Sequence, residues 1–419
     1  MNLDRFETHL KDRIERYKKR YKNQRIVALK IVYYILSNLF KIQTKVKPSN
    51  TWYKVGAGFD DNDKLSHTLT KGWNIPNAIL KSDEHFYFSI DRALKMKPDL
   101  KGVWLVFFMG IGDYFNASAF IEQLRKTYPT LEFNAFVSKN VDGNNSPLVA
   151  DILKTNPNIS RVEFFDGYQD KTYWENYDCS DCYDRVADDY LLIPVVYEYE
   201  PHIISRHITL CETFSLPVPP IIPMPKIYPY NVSEELHSLY SKINDAAKNA
   251  KKGVVFIQAS SRSTVWEYPY TQNIVENLLR DNYVVVTVEK CNIKHSNYFE
   301  INTKKFNINE SIELLRLLKK TTKLSCITLN SCFWAISAGL GIPNLGLQHR
   351  DNPSMLTEYF PNIYCITNRF IKGINPSYQF ITPEAKFEKI TWLGSDLYIH
   401  KPEFVYECFK CMKERVCSE

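Results

Sequence analysis

Residues 103–109, VWLVFFM, form an unbroken apolar run that stops at Gly110 and Gly112 and gives way to a helical pattern. Seven apolar residues are too few to cross a bilayer and suit a strand buried on both faces of a parallel sheet. Ala117, Phe120, Ile121 and Leu124 then recur at i, i+3, i+4 and i+7, Arg125 and Lys126 suit a helix C-terminus, and Pro129 ends it. The stretch reads as strand, glycine turn, Asp113, helix. Ligands of open α/β sheets bind at the carboxyl ends of strands, so Asp113 is expected at the rim of a cleft, with backbone N–H groups of the turn facing a ligand. The same residues also suit an ordinary βα turn with Asp113 as helix N-cap.

The pattern recurs. Residues 131–138 alternate as a second strand, 148–154 read as a helix and 159–166 as a third strand, which are the βαβ units of a doubly wound sheet. LLIPVVYEY suggests a further buried strand, and residues 202–214 a helix. Residues 216–230, LPVPPIIPMPKIYPY, hold six prolines, whose fixed φ and missing N–H exclude helix and central strand and leave an extended connector. Beyond it, GVVFIQ, YVVVTVE and LSCITL read as strands, and residues 271–280 and 309–320 as helices. Asn330 and Ser331 fall in the N-cap region of one more helix, which ends in 339–343.

The 419 residues therefore divide into a basic helical extension (1–50), an irregular aromatic-rich segment (51–100), an N-terminal α/β unit (101–216), the proline-rich linker (217–230), a C-terminal α/β unit (231–400) and a terminal helix (401–419). Two such units imply an interdomain cleft, the default place for a ligand.

Charge is concentrated at the start. Residues 1–47 carry thirteen Lys and Arg against four Asp and Glu, a local net charge of +9 in a chain of +6. Two amphipathic helices there fit an anionic membrane surface, or a hairpin packed on the body of the protein or on another subunit. With no reader module and no basic stripe elsewhere, nucleic acid is not expected as a partner. The absence of an eighteen-residue apolar run and of a signal-peptide pattern leads to the expectation of a cytoplasmic protein. Ten scattered cysteines fit buried thiols, and the loop pair Cys179 and Cys182 lacks a second pair to complete a metal site.

The chemistry-bearing residues sit at strand ends. Ser260, Ser261 and Arg262 follow the first strand of the C-terminal unit, with hydroxyls and a guanidinium suited to a diphosphate. The helix start at Ser331 and Cys332 offers N–H groups and the positive end of a dipole. A nucleotide diphosphate held there would face Asp113 across the cleft.

These stretches resemble the bacterial heptosyltransferase family, glycosyltransferase family nine. GIGDYFNASAFIEQLRKTYP is similar to its N-terminal signature, ADILKTNPNISRVEFFD and RHITLCETFSLP to its following segments, IQASSR to its His-Ala-Thr-Thr-Arg loop, and LNSCFWAISAGLGIP to its Asp-Ser-Gly turn and helix. The resemblance spans roughly residues 101–347. It implies a GT-B architecture of two Rossmann-like domains facing across a cleft, and metal-independent, inverting transfer of a sugar, often a heptose, with no cofactor beyond the nucleotide-sugar substrate. Asp113 would be the general base. Gly112, Ser260, Ser261, Arg262, Asn330, Ser331, Cys332 and Phe333 would form the donor site, largely through hydroxyl and backbone N–H groups. The acceptor would be a cell-surface or lipid-linked glycan, and a homo-oligomer is a further expectation. The terminal helix would pack back on the N-terminal domain.

The sequence departs from the family at several positions: Asn330 replaces an Asp, Cys332 a Gly and Ala335 a His, and no lysine matches that of the phosphate loop. A noncatalytic nucleotide-sugar-binding or scaffold protein therefore stands as an alternative. Another is a protein O-glycosyltransferase of the autotransporter heptosyltransferase type, which carries cysteine-bound iron. Cys365, Cys408, Cys411 and Cys417 are the candidate ligands, although Cys408 and Cys411 also suit a packed helix face.

Overall fold

The computed structural model describes residues 79–81, 86–88, 90–107, 110–139, 146–166, 169–170, 176–177, 182, 185–195, 207, 210–211, 214–250, 252–260, 268–288, 290–303, 305–329, 331–348, 360–367 and 401–418. The expectations for residues 1–50, for Cys179 and for Ser261, Arg262 and Asn330 lie outside them.

Among the described residues the first elements are two antiparallel strands, β1 (Ile79–Lys81) and β2 (Phe86–Phe88), and helix α1 (Ile90–Met96). The later part of the segment read as irregular is thus structured, and Ile90 and Ala93 are buried, since only two apolar residues are needed to dock so short a helix.

There follow β3 (Gly102–Phe107), α2 (Ile111–Thr127), β4 (Glu132–Ser138), α3 (Ser146–Lys154) and β5 (Arg161–Phe165). Two short strands, β6 (Gln169–Asp170) and β7 (Asn176–Tyr177), precede β8 (Tyr190–Pro194). Strands β5-β4-β3-β8 form a parallel sheet in that order. The next elements are α4 (Glu234–Ala250), β9 (Val254–Gln258), α5 (Thr271–Arg280), β10 (Val284–Thr287), β11 (Tyr298–Glu300), α6 (Ile308–Thr321) and β12 (Leu324–Leu329). Helix α7 (Cys332–Leu340), β13 (Asn344–Gln348), β14 (Ile363–Thr367) and α8 (Pro402–Ser418) complete the described elements.

The second sheet is parallel throughout, in the order β11-β10-β9-β12-β13-β14. Each sheet starts from an interior strand, grows outward, then jumps back across its first strand. That is the doubly wound order, and it creates a switch point between β3 and β8 and another between β9 and β12.

Alternation along the strands explains the layering. Val254 and Phe256 of β9 join the larger core, whereas Val255 and Ile257 join a second core beneath α5 and α8. Val103, Leu105 and Phe107 of β3 enter that same larger core, which runs without a break through α2, α3, α4, α6 and α7. A helical layer thus lies between the two sheets. Helix α2 buries Tyr114, Phe115, Ala117, Ser118, Ala119, Phe120, Ile121 and Leu124, more than one stripe, because it is covered from two sides.

Residues 216–230 are neither helix nor strand, and they are tied down on both sides. Lys226 N–H donates to Ser118 Oγ (2.7 Å), Gln123 Nε2 to the Pro217 carbonyl (2.8 Å), and Tyr230 N–H to Glu313 Oε1 (2.9 Å). Gly339 lets α7 close on the same strap, since a Cβ there would stand 2.4 Å from the Pro225 carbonyl oxygen.

The C-terminal helix corrects an expectation. It packs on the second sheet and α5, where Val405, Cys408, Phe409 and Met412 at i, i+3, i+4 and i+7 complete the second core, and Tyr406 OH donates to Asp281. Cys408 is one of these packed residues, and burial pushes its thiol up to about 12. Among the described residues no three His, Cys, Asp or Glu side chains converge on a metal-sized site, and no helix is long and apolar enough to cross a membrane.

His207 is buried against α2, with Nε2 2.9 Å from Gln123 Oε1, and burial lowers its pKa to about 4. The unfolded chain, with a histidine pKa near 6.5, binds the proton more readily. His207 therefore contributes stability that is complete above about pH 6.5 and is lost as pH falls toward 4, up to about 3 kcal/mol. Urea titrations between pH 7.5 and 5 should show this loss, and His207→Gln should reduce the slope. An unchanged slope would remove His207 as its source.

Candidate functional site

The carboxyl end of β3 leads directly into α2. Gly110 is the N-cap, in extended conformation (φ −73°, ψ 173°), and Asp113 is the third residue inside the helix. The expected N-cap Asp is therefore corrected to a capping-box Asp. Its Oδ2 accepts the Gly110 N–H at 3.2 Å, while the Asp113 N–H donates to the Gly110 carbonyl at 3.1 Å. Asp113 is half-buried. The adjoining Tyr114 is fully buried, its hydroxyl accepting from Asn156 Nδ2 (3.3 Å), and burial holds the phenol neutral by raising its pKa. This anchors the first turn and with it the direction of the carboxylate.

Gly112 is likewise a helical residue, the second of α2. A Cβ there would stand 3.2 Å from Cys332 Cα and 3.3 Å from Cys332 N. The backbones of α2 and α7 approach closely at their first turns.

On the other side, β12 ends at Leu329 and α7 begins after Ser331, its N-cap. Ser331 Oγ accepts the Phe333 N–H at 3.3 Å, so that N–H is engaged within the cap. The Phe333 ring is buried and lies 4.9 Å from that of Phe256, a core contact. Helix α7 sits firmly, because Asn344 Nδ2 donates to both Thr328 Oγ1 and Ser337 Oγ at 2.9 Å in a fully buried network.

Gln258, at the end of β9, joins these parts. Its Oε1 accepts from Ser331 Oγ at 2.5 Å and its Nε2 donates to the Ser260 carbonyl. Sequence reasoning passed it over, although it is the single polar residue closing the run VVFIQ. The fold thus sets Gly112, next to Asp113, against Ser331 and Cys332, and ties Ser331 to Ser260 through Gln258, at the ends of β3, β12 and β9. The β9 and β12 ends form the switch point of the second sheet. Two helix N-termini meet here, and Asp113 is the only acid in either first turn, an arrangement that favours an anion.

No family model matches the chain, and no curated protein matches it either. Solved structures do. Its structural neighbours include family 9 glycosyltransferases. The glycosyl transferase family 9 of Veillonella parvula DSM 2008 is 12% identical, with 75% of this chain and 97% of that chain covered and a TM-score of 0.49. The E. coli ADP-heptose lps heptosyltransferase II is 12% identical over 75% and 99%, also with a TM-score of 0.49. The iron-containing dodecameric glycosyltransferase TibC from enterotoxigenic E. coli H10407 is 13% identical over 76% and 78%, with a TM-score of 0.42.

The capping role of Asp113 has a measurable consequence. Asp113→Ala should cost about 1 kcal/mol of unfolding free energy in urea, whereas Asp113→Asn, whose amide oxygen can take the same N–H, should cost less. Equal losses in the two variants would count against the cap.

Proposed function

We propose that this protein is an inverting glycosyltransferase that moves a sugar from a nucleotide-diphosphate donor to a glycan acceptor. The observation that carries this reading is the close approach of Gly112, the residue before Asp113, to the Ser331–Cys332 helix start, at the carboxyl ends of strands from two parallel sheets. The resemblance of the sequence to glycosyltransferase family nine supports it.

In this reading the diphosphate lies against the start of α7 and the Ser260 loop, where helix-end partial charge and N–H groups stabilise the charge that develops on the leaving group. Asp113 takes the proton of the acceptor hydroxyl. The hydroxyl oxygen bonds to the anomeric carbon as the bond from that carbon to the diphosphate oxygen breaks, the electron pair leaves with the nucleotide, and configuration inverts. A carboxylate has several acceptor sites on its two oxygens, so the bond to Gly110 N–H is compatible with proton uptake. It also fixes the base in place before the substrate arrives. The substrate sugar is a hexose or heptose, and the acceptor a surface glycan. Residues 1–47, at +9, hold the protein on an anionic membrane face.

A second reading, a noncatalytic nucleotide-sugar-binding protein, is favoured by the use of Asp113 as a cap and by Asn330 where the family has Asp. One pair of measurements separates the two. Thermal shift with ADP, UDP, GDP and CDP should single out one nucleotide, and its sugar conjugate should turn over with an acceptor glycan. Asp113→Asn should keep nucleotide affinity and lose about 10²- to 10⁴-fold in turnover. Binding without turnover in the unaltered protein selects the second reading, and no shift with any nucleotide at millimolar concentration rejects both. Separately, deletion of residues 1–47 should abolish co-sedimentation with phosphatidylserine vesicles, and retained binding would place the membrane contact elsewhere.

A further inference from the structure

Gln258 is nine-tenths buried and stands at the switch point, opposite Thr328 in the parallel register of β9 and β12. Its two polar ends reach different loops, and the chemistry of those loops fixes which way each hydrogen bond runs. The Ser260 carbonyl can only accept, so the amide nitrogen must face it. The amide oxygen then faces Ser331, whose hydroxyl must be the donor. With its proton committed to Gln258, Ser331 Oγ presents lone pairs alone to its own helix, and it uses one on the Phe333 N–H. A single side chain therefore sets the rotation of the N-cap hydroxyl and ties it to the Ser260 carbonyl.

We infer that Gln258 is a positioning residue that ties Ser260, at the end of β9, to the start of α7 and so preorganises the anion-facing helix start. This rests on the diphosphate reading of the site and specifies how the site is held. In this arrangement Ser331 does not donate its hydroxyl proton to the diphosphate. It orients the helix start, and the anion is met by backbone groups whose aim depends on Gln258. Without the amide, the Ser331 hydroxyl is left to turn toward other acceptors, and the bond that ties Ser260 to it through residue 258 is lost. The ordering of that hydroxyl must then come out of the binding free energy.

Gln258→Leu removes both bonds at similar volume. Gln258→Glu separates their effects. Its ionised carboxylate still accepts from Ser331 but sets an oxygen against the Ser260 carbonyl, and burial together with that carbonyl raises the pKa of the introduced group. Once protonated, its O–H can donate to Ser260 as the amide does.

The test is isothermal titration of the full chain with ADP, UDP, GDP and CDP at pH 7.5 and 5.5, alongside melting temperatures of each variant. At pH 7.5 both variants should bind the preferred nucleotide at least about 10-fold more weakly than the unaltered protein. At pH 5.5 the Glu variant should recover toward the unaltered protein at the same pH, while the Leu variant should not. Should the Leu variant fail to fold, the pH recovery of the Glu variant decides. Affinities within twofold of the unaltered protein at both pH values would overturn the positioning role alone, as would weakening by Glu with no recovery. If the unaltered protein binds none of the four, the diphosphate reading fails and this role falls with it.

Discussion

Helices α2 and α7 touch at their first turns through Gly112 and Cys332, and the arrangement of the two sheets depends on that approach. Any side chain at position 112 would place its Cβ within 3.3 Å of the α7 backbone. Close approach, and not an unusual backbone conformation, is what this glycine supplies; the described glycines with positive φ are Gly253 and Gly341. Bringing two positive helix ends together is electrostatically unfavourable unless negative charge lies nearby. Asp113, in the first turn of α2, supplies one such charge, and a bound anion would supply more. The contact that holds the sheets together thus also creates the local field from which the proposed chemistry follows.

The strap at 216–230 solves a related problem. An extended chain laid against helices ordinarily brings many N–H groups that need partners wherever it is covered. Six of its residues are prolines with no N–H to satisfy. Lys226 and Tyr230, which do have one, donate to Ser118 Oγ and Glu313 Oε1. Glu313 is itself 5% exposed and is matched by Arg316, whose Nη2 donates back to the Ile227 carbonyl. The proline content that marks this stretch as a connector in the sequence thus also leaves few N–H groups to satisfy where Leu216, Ile222 and Pro225 are buried against the helices.

Much of the fold was legible. Buried strands of a parallel sheet are apolar on both faces, so VWLVFF, VVFIQ and LSCITL stand out as short runs. Amphipathic helices such as 271–280 show a face at 3.6-residue period, and the observed α5 has those same bounds. The candidate site was named from strand ends alone. Asp113, Ser260 and Ser331 were picked out because strand-end positions in an open sheet are where ligands bind; the fold ties Ser260 to Ser331 through Gln258 and sets Gly112, beside Asp113, against Cys332.

What the sequence by itself determined was local: where strands and helices start and stop, through apolar period, glycine, proline and caps. Tertiary structure decided the rest, because it depends on which faces meet. Asp113 became a capping-box residue once Gly110 took the N-cap conformation. Gly112 became a packing glycine once α7 lay against it. The C-terminal helix settled on the second sheet, since an apolar stripe names no partner and the uncovered face beside α5 was the one that matched. Gln258 was silent in the sequence for the same reason: a lone glutamine ending a strand has no pattern, and its meaning comes from Ser331, 73 residues away.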